Sequence, residues 1–304
     1  MKIVSLLPSA TEIVFALGLG DQLEGVTYEC DFPPEARSKA VVSDTALPQD
    51  RPLDPGEIDA MVRSSMERQD PLYTLDRELI QEIQPDLILA QDLCRVCAVP
   101  SGQVEDALEE LGCRSEVLSL DPHSLGDVLD GIVRVGRATG TDALAQKVVM
   151  SLRERMEAVR RRAAGLPSIG TLCLEWSDPP WVGGHWVPEM AALAGGTNLL
   201  NDPGQPSRTV TWRDIRGAGP EVIVFMPCGL TLDEAESQGA TLLRNPDVAA
   251  TPAARAGSVF AVDGSSYFSR PGPRLVDGLE ILAWCVHPQA FRQPSAEAVS
   301  RLAP

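Results

Sequence analysis

The residues of this 304-residue chain best suited to do chemistry are its seven cysteines, its three histidines and a sparse set of aromatics. Cys94-Arg95-Val96-Cys97 has the spacing of half a metal site, of a redox pair, or of two small buried residues. A structural zinc site needs a second Cys/His pair at comparable spacing, and the sequence offers none. Cys30 and Cys228 could join the pair only through the fold. His185 sits in Trp181-Val182-Gly183-Gly184-His185-Trp186, an imidazole between indoles on a glycine-flexible loop. Such an imidazole can ligate cobalt, iron or zinc, or simply pack against tryptophan with its nitrogens hydrogen-bonded. His123 and His287 neighbour prolines and are expected to face solvent. Glu29 and Glu175 each follow an apolar run and could act as a general acid/base pair. No nucleophile elbow, phosphate loop or G-x-G-x-x-G fingerprint accompanies them.

These groups need elements to hold them. Lys2–Leu7, Leu23–Thr27, Asp86–Ala90 and Ser115–Leu120 read as strands. Helices are expected between them at Ser9–Leu17, Glu57–Arg68, Leu75–Ile83 and Val104–Leu111, the first begun by a Ser9/Glu12 capping box. Strands alternating with helices, with little period-2 patterning, predict a parallel sheet covered on both faces. Residues 124–164 carry helical periodicity only, broken near Thr139-Gly140. Leu144, Val148, Leu152, Met156, Val159 and Ala163 mark one apolar stripe on a helix from Thr141 to Ala164, about 36 Å long at the usual rise. Alternation then resumes, with strands at Ile169–Leu174, Val222–Phe225 and Val259–Val262 and helices at Val187–Leu193, Leu232–Leu243 and Leu275–Val286. Ile83-Gln84-Pro85-Asp86-Leu87-Ile88-Leu89 and Ala218-Gly219-Pro220-Glu221-Val222-Ile223-Val224 share one pattern: helix end, proline, acid, apolar strand. Ligands of parallel α/β sheets bind beyond the carboxyl ends of strands, and that is where the scarce aromatics, thiols and imidazole fall. The predicted result is an aromatic cleft with a few polar anchors.

Composition narrows the classes. Lys and Arg total 26 against 43 Asp and Glu, a formal charge of −17, which repels phosphate backbones and argues against nucleic-acid binding. An odd number of scattered cysteines fits a reducing compartment better than a disulfide framework. Pro8, Ser9, Thr11 and Glu12 interrupt the early apolar run, so neither a secretory leader nor membrane insertion is expected. The location read from this is cytoplasmic, or periplasmic or extracellular if a leader has been trimmed away.

Val4-Ser5-Leu6-Leu7-Pro8-Ser9-Ala10-Thr11-Glu12, Gly18-Leu19-Gly20 and Gly25-Val26-Thr27-Tyr28-Glu29-Cys30-Asp31-Phe32-Pro33 resemble the start of class III (helical-backbone) substrate-binding proteins, within them the vitamin B12-binding branch. Pro85-Asp86-Leu87-Ile88-Leu89, Gly257–Gly264 and Ser269–Arg274 fit the same family. The resemblance implies two Rossmann-like α/β lobes, residues 1–123 and 166–304, joined by a helical linker (124–165) with a single long bridging helix and a ligand cleft between the lobes. It implies a binding protein for cobalamin or a related corrinoid or metal chelate, without catalysis, serving an ABC transporter permease. Tyr28, Trp176, Trp181, Trp186, Tyr267 and Phe268 would supply apolar contacts to a macrocycle, and Glu29, Gln91, Ser266 and Arg270 polar ones. His185, Cys30, Cys94 or Cys97 could ligate the metal. The alternative is a metal- or thiol-dependent enzyme on the same scaffold, using the cysteines with Glu29 and Glu175.

Overall fold

The computed structural model describes residues 1–48, 50–51, 53–68, 72–92, 101–111 and 114–303. They divide into two compact units, Met1–Pro122 with Gly126–Met150, and His123–Leu125 with Ser151–Pro304. The first run of elements is β1 (Ile3–Ser5), α1 (Pro8–Ala16), β2 (Leu23–Thr27), β3 (Ala40–Thr45), α2 (Pro55–Arg68), β4 (Tyr73–Leu75) and α3 (Arg77–Ile83). β5 (Leu87–Ala90), α4 (Ser101–Leu111), β6 (Glu116–Ser119), α5 (Leu125–Ala138) and α6 (Asp142–Ala163) follow. Beyond them come β7 (Ile169–Ser177), β8 (Pro180–Val182), α7 (Val187–Leu193), β9 (Gly196–Asn198), β10 (Arg208–Thr209), α8 (Trp212–Ala218) and β11 (Val222–Phe225). The chain closes with α9 (Leu232–Arg244), α10 (Pro246–Ala249), α11 (Pro252–Arg255), β12 (Val259–Val262), α12 (Gly264–Tyr267), α13 (Leu275–Val286) and β13 (Val299–Arg301). The division between the units falls inside α6.

The N-terminal sheet has the order β4-β3-β2-β1-β5-β6, parallel except for the β3/β4 pair. Sequence order reverses between β1 and β5, so Leu6–Ser9 and Gln91 lie at the switch point. In the C-terminal unit the order is β10-β8-β7-β11-β12-β13, with β9 also on β7. The nine residues of β7 are long enough to hold two neighbours on one side. Ile169–Thr171 pair with β9 and Leu174–Ser177 with β8. β5, β11 and β12 are buried at every position, which is why they read as unbroken apolar runs. Leu172, Phe225, Val259 and Ala261 centre one core, and Val4, Leu6, Ile88 and Ala90 another.

The repeated junction proves to be a shared device. Gln84 and Gly219 both end their helices in the left-handed region, at φ 51° and 61°. The following acids make the same reciprocal pair of bonds to the first strand of their sheets. Asp86 N–H donates to the Lys2 carbonyl and its carboxylate accepts from Lys2 N–H at 2.7 Å. Glu221 N–H donates to the Gly170 carbonyl and its carboxylate accepts from Gly170 N–H at 2.9 Å. Each acid thereby ties two parallel strands together at their amino ends.

Four local expectations change. α1 starts at Pro8, and Leu7, with no side-chain cap, replaces the anticipated capping box. Ser9 and Glu12 are buried, and proline at the first turn supplies the start instead. Leu75 ends a strand rather than opening a helix, because Asp76 caps α3 by accepting from Leu79 N–H. The stripe on α6 begins one residue later than its spacing suggests: Ala145 and Val149 are buried while Leu144 is exposed. Ala145 faces Gly136 of α5 so closely that a side chain there would lie 2.5 Å from its Cβ, and that contact sets the helix phase. β3, the β7/β8 hairpin and β10 beside it were not anticipated.

α12 leans on α13 through another close approach. A Cβ on Gly278 would meet the Tyr267 carbonyl oxygen at 2.1 Å. In an open helix, Gly→Ala gains about 0.5–1 kcal/mol. Here Gly278→Ala is expected to destabilise by about 1–3 kcal/mol, as overpacking does, while moving Tyr267. Urea unfolding of the two proteins measures the sign.

Candidate functional site

The carboxyl edge of the C-terminal sheet is built around a carboxylate. β7 reaches its end at Leu174-Glu175-Trp176, and the chain folds back through β8 to Gly183-Gly184-His185. A second segment, 201–207, lies directly over that loop. His185 N–H donates to the Gln205 carbonyl at 2.6 Å, and Gly204 N–H donates to the His185 carbonyl at 2.9 Å. Asn201 donates its side-chain N–H to the carbonyls of Gly183 and Pro206, both at 3.0 Å. The approach requires glycine: a Cβ on Gly184 would sit 2.2 Å from Ser207 N. Glu175 lies beneath both layers, its carboxylate accepting from Gly184 N–H and the Ser207 hydroxyl. Burial raises its pKa, and those two donors oppose the rise.

His185 is thereby pinned at φ 51°, a conformation uncommon for residues other than glycine. Its ring lies 5.7 Å, centre to centre, from His123 and 5.7 Å from Trp186. Burial, then the neighbouring His123, lowers the His185 pKa, which keeps a lone pair available. The indole of Trp186 is buried, and its N–H donates to the Phe268 carbonyl at 2.9 Å. Trp176 and Trp181 stand opposite each other across the β7/β8 pair and are half-buried. Cys228 is exposed, and its N–H donates to the Glu175 carbonyl at 3.1 Å. Beyond β12, Asp263 caps α12 by accepting from Ser266 N–H at 2.7 Å. Ser266, Tyr267 and Arg270 are half-buried. Burial raises the Tyr267 pKa, an effect that Arg274, 5.8 Å above its ring, offsets in part.

On the N-terminal sheet, the loop after β2 carries Tyr28, Glu29, Cys30 and Phe32. Tyr28 and Phe32 are 39% and 43% exposed, the large aromatics left open among the described residues. The Tyr28 hydroxyl is pushed up to about 12 by burial of its oxygen end and by Glu29, against a hydrogen bond with Thr45. Glu29 N–H donates to Thr27 Oγ1 at 3.1 Å. The Cys30 thiol is buried within 3.1 Å of Thr11 Oγ1, and Gln91 spends its amide N–H on the Leu120 carbonyl.

Several of the anticipated contact residues are enclosed. Trp186, Phe268, Cys30 and Gln91 are buried with their polar atoms used inside their own unit. Cys94 and Cys97 lie outside the described residues. No group of three or more His, Cys, Asp or Glu among the described residues could hold a metal. Glu175 is committed to the loop above it, not poised as an acid or base. Two residues went unassigned by sequence: Phe32, visible in its motif, and His123, exposed as anticipated but brought to His185 only by folding.

Glu175→Gln keeps an acceptor for Gly184 and removes a charge whose burial is unfavourable. Because the folded pKa is raised, the stability tied to Glu175 is greatest in acid and is lost as pH rises through that value. The glutamine variant should therefore melt above the parent at neutral and alkaline pH, with the gap closing on acidification. Glu175→Ala orphans Gly184 N–H and should cost about 1–3 kcal/mol. Thermal melts across pH check both.

Residues 3–265 match the Periplasmic binding protein family. The vitamin B12-binding protein of Vibrio cholerae is 25% identical over 283 residues, covering 92% of this chain and 86% of that protein. An uncharacterized ABC transporter substrate-binding lipoprotein of Bacillus subtilis, YvrC, is 23% identical over 96% of this chain and 82% of its own length. In fold the chain is similar to a periplasmic heme-binding protein from Pseudomonas aeruginosa, with TM-score 0.74, 22% identity and coverage of 100% and 98%. Nothing in these likenesses supports the thiol- or metal-dependent enzyme or a cytoplasmic location. Among the described residues no helix is long and apolar enough to cross a membrane. With two α/β units, a repeated strand-tying junction and a family match over most of its length, this chain belongs to the periplasmic binding protein family of solute-binding proteins.

Proposed function

We propose that the protein binds a planar, metal-centred macrocycle, a corrinoid of the vitamin B12 type, and presents it outside the cytoplasm to an ABC transporter permease. The observation that carries this is Tyr28 and Phe32 left open on the loop after β2. Large exposed aromatics cost solvation unless something flat and apolar covers them. Glu29 offers a polar anchor beside Tyr28; on the C-terminal unit, half-buried Trp176, Trp181 and Tyr267 offer aromatic surface, with Ser266 and Arg270 as polar groups for ring substituents. His185, on a fixed loop, is the group suited to approach the metal. The resemblance of the N-terminal motifs to B12 binders and the B12-binding relative support the corrinoid. Haem is the second reading, favoured by the likeness to a heme-binding structure.

Absorbance and tryptophan-fluorescence titrations with cyanocobalamin and with hemin separate the two. Saturable binding of cyanocobalamin at micromolar or lower concentration is expected. Tyr28→Ala and Phe32→Ala should each weaken it by about tenfold, the loss of one good interface aromatic. Preference for hemin transfers the reading to haem, and binding of neither discards it.

A further inference from the structure

We propose that His123 and His185 form a two-imidazole site for a divalent late first-row transition-metal ion, presented by Glu175 as a positioning residue. The inference extends the role given above to His185, yet needs no macrocycle. The ring centres are 5.7 Å apart and the planes are inclined at 46°. With metal–nitrogen bonds of about 2.0–2.1 Å, two imidazoles on one ion place their ring centres roughly 5–6 Å apart, the spacing found here. One ring is exposed and the other half-buried, leaving the ion open to solvent or to further donors. Imidazole nitrogen suits nickel, copper and zinc.

What separates this pair from two adjacent surface histidines is its support. The His185 main chain is held from both sides, by Gln205 and Gly204. The layer above it is fixed by Asn201, and the layer below by the Glu175 carboxylate on Gly184 and Ser207. A side chain on so constrained a backbone loses little freedom on ligation.

Untagged protein with Cys94, Cys97 and Cys228 changed to serine isolates the imidazoles from the thiols. Calorimetric titration with NiCl2 and, separately, ZnCl2 should give one ion per chain at micromolar affinity. His123→Ala should weaken it by tenfold or more, and because His123 is exposed this variant keeps the fold. His287→Ala should leave it unchanged. Glu175→Ala should weaken uptake and Glu175→Gln restore it, both titrated well below the melting temperature of each variant so that the effect is read on folded protein. With Zn2+, imidazole nitrogen NMR resonances of two histidines should shift together. Absence of one-to-one uptake of either ion, or uptake unchanged in His123→Ala, overturns the proposal. Corrinoid and haem titrations report on the macrocycle reading alone, so either can fail without the other.

Discussion

A parallel strand ends with its backbone groups pointing beyond the sheet, and any loop built there must find partners for them or leave them to water. In the C-terminal unit the Glu175 carboxylate is that partner. It takes Gly184 N–H and the Ser207 hydroxyl at once, so two segments remote in sequence are clasped to the end of β7. Everything the edge offers follows from this clasp. Gly184 permits the close approach, His185 is forced into the left-handed region, and its ring comes to rest beside His123 and Trp186. A buried carboxylate is a costly way to hold a loop. Its retention makes sense where the position of one side chain matters more than stability.

The amino ends of the sheets use acids differently. Asp86 and Glu221 accept from the first strand's N–H while donating their own N–H back. Both are exposed, so the carboxylates keep much of their hydration and the bonds cost little. The contrast sorts acids by task. Exposed acids at the start of the central strands register the sheet, and an enclosed one at the far end shapes a surface.

Much of this architecture was legible because burial on both faces leaves a plain signal. The ends of β11, β12, α7 and α13 agree with the apolar runs and periodicity that predict them, and the helical stretch from 124 to 164 breaks where Gly140 takes φ 69°. Edges were harder. β3 mixes Ala40, Val41 and Val42 with polar residues, and Pro179-Pro180 hides the β7/β8 turn. Ser9 and Glu12 mimic a capping box because their spacing is right, although both side chains are buried. Local patterns carry such misreadings whenever tertiary packing claims the residues first.

The site divides along the same line. Tyr28 and Phe32 could be suspected from one motif, since a single loop carries both. His123 beside His185, and the Ser207 hydroxyl on the Glu175 carboxylate, could not, because those contacts join segments that no period or spacing connects. The scarcity of histidine makes the pairing informative all the same. Only three occur in the chain, and one of them is spent on His287, whose ring nitrogen lies 3.4 Å from the Gly195 carbonyl. The other two meet where the backbone constraints of one loop converge on His185. A rigid mount for an imidazole is a poor investment for mere packing, which Trp186 already supplies from beneath. It is a sound one for a group that must meet a metal or a metal-centred ring without first being ordered by it.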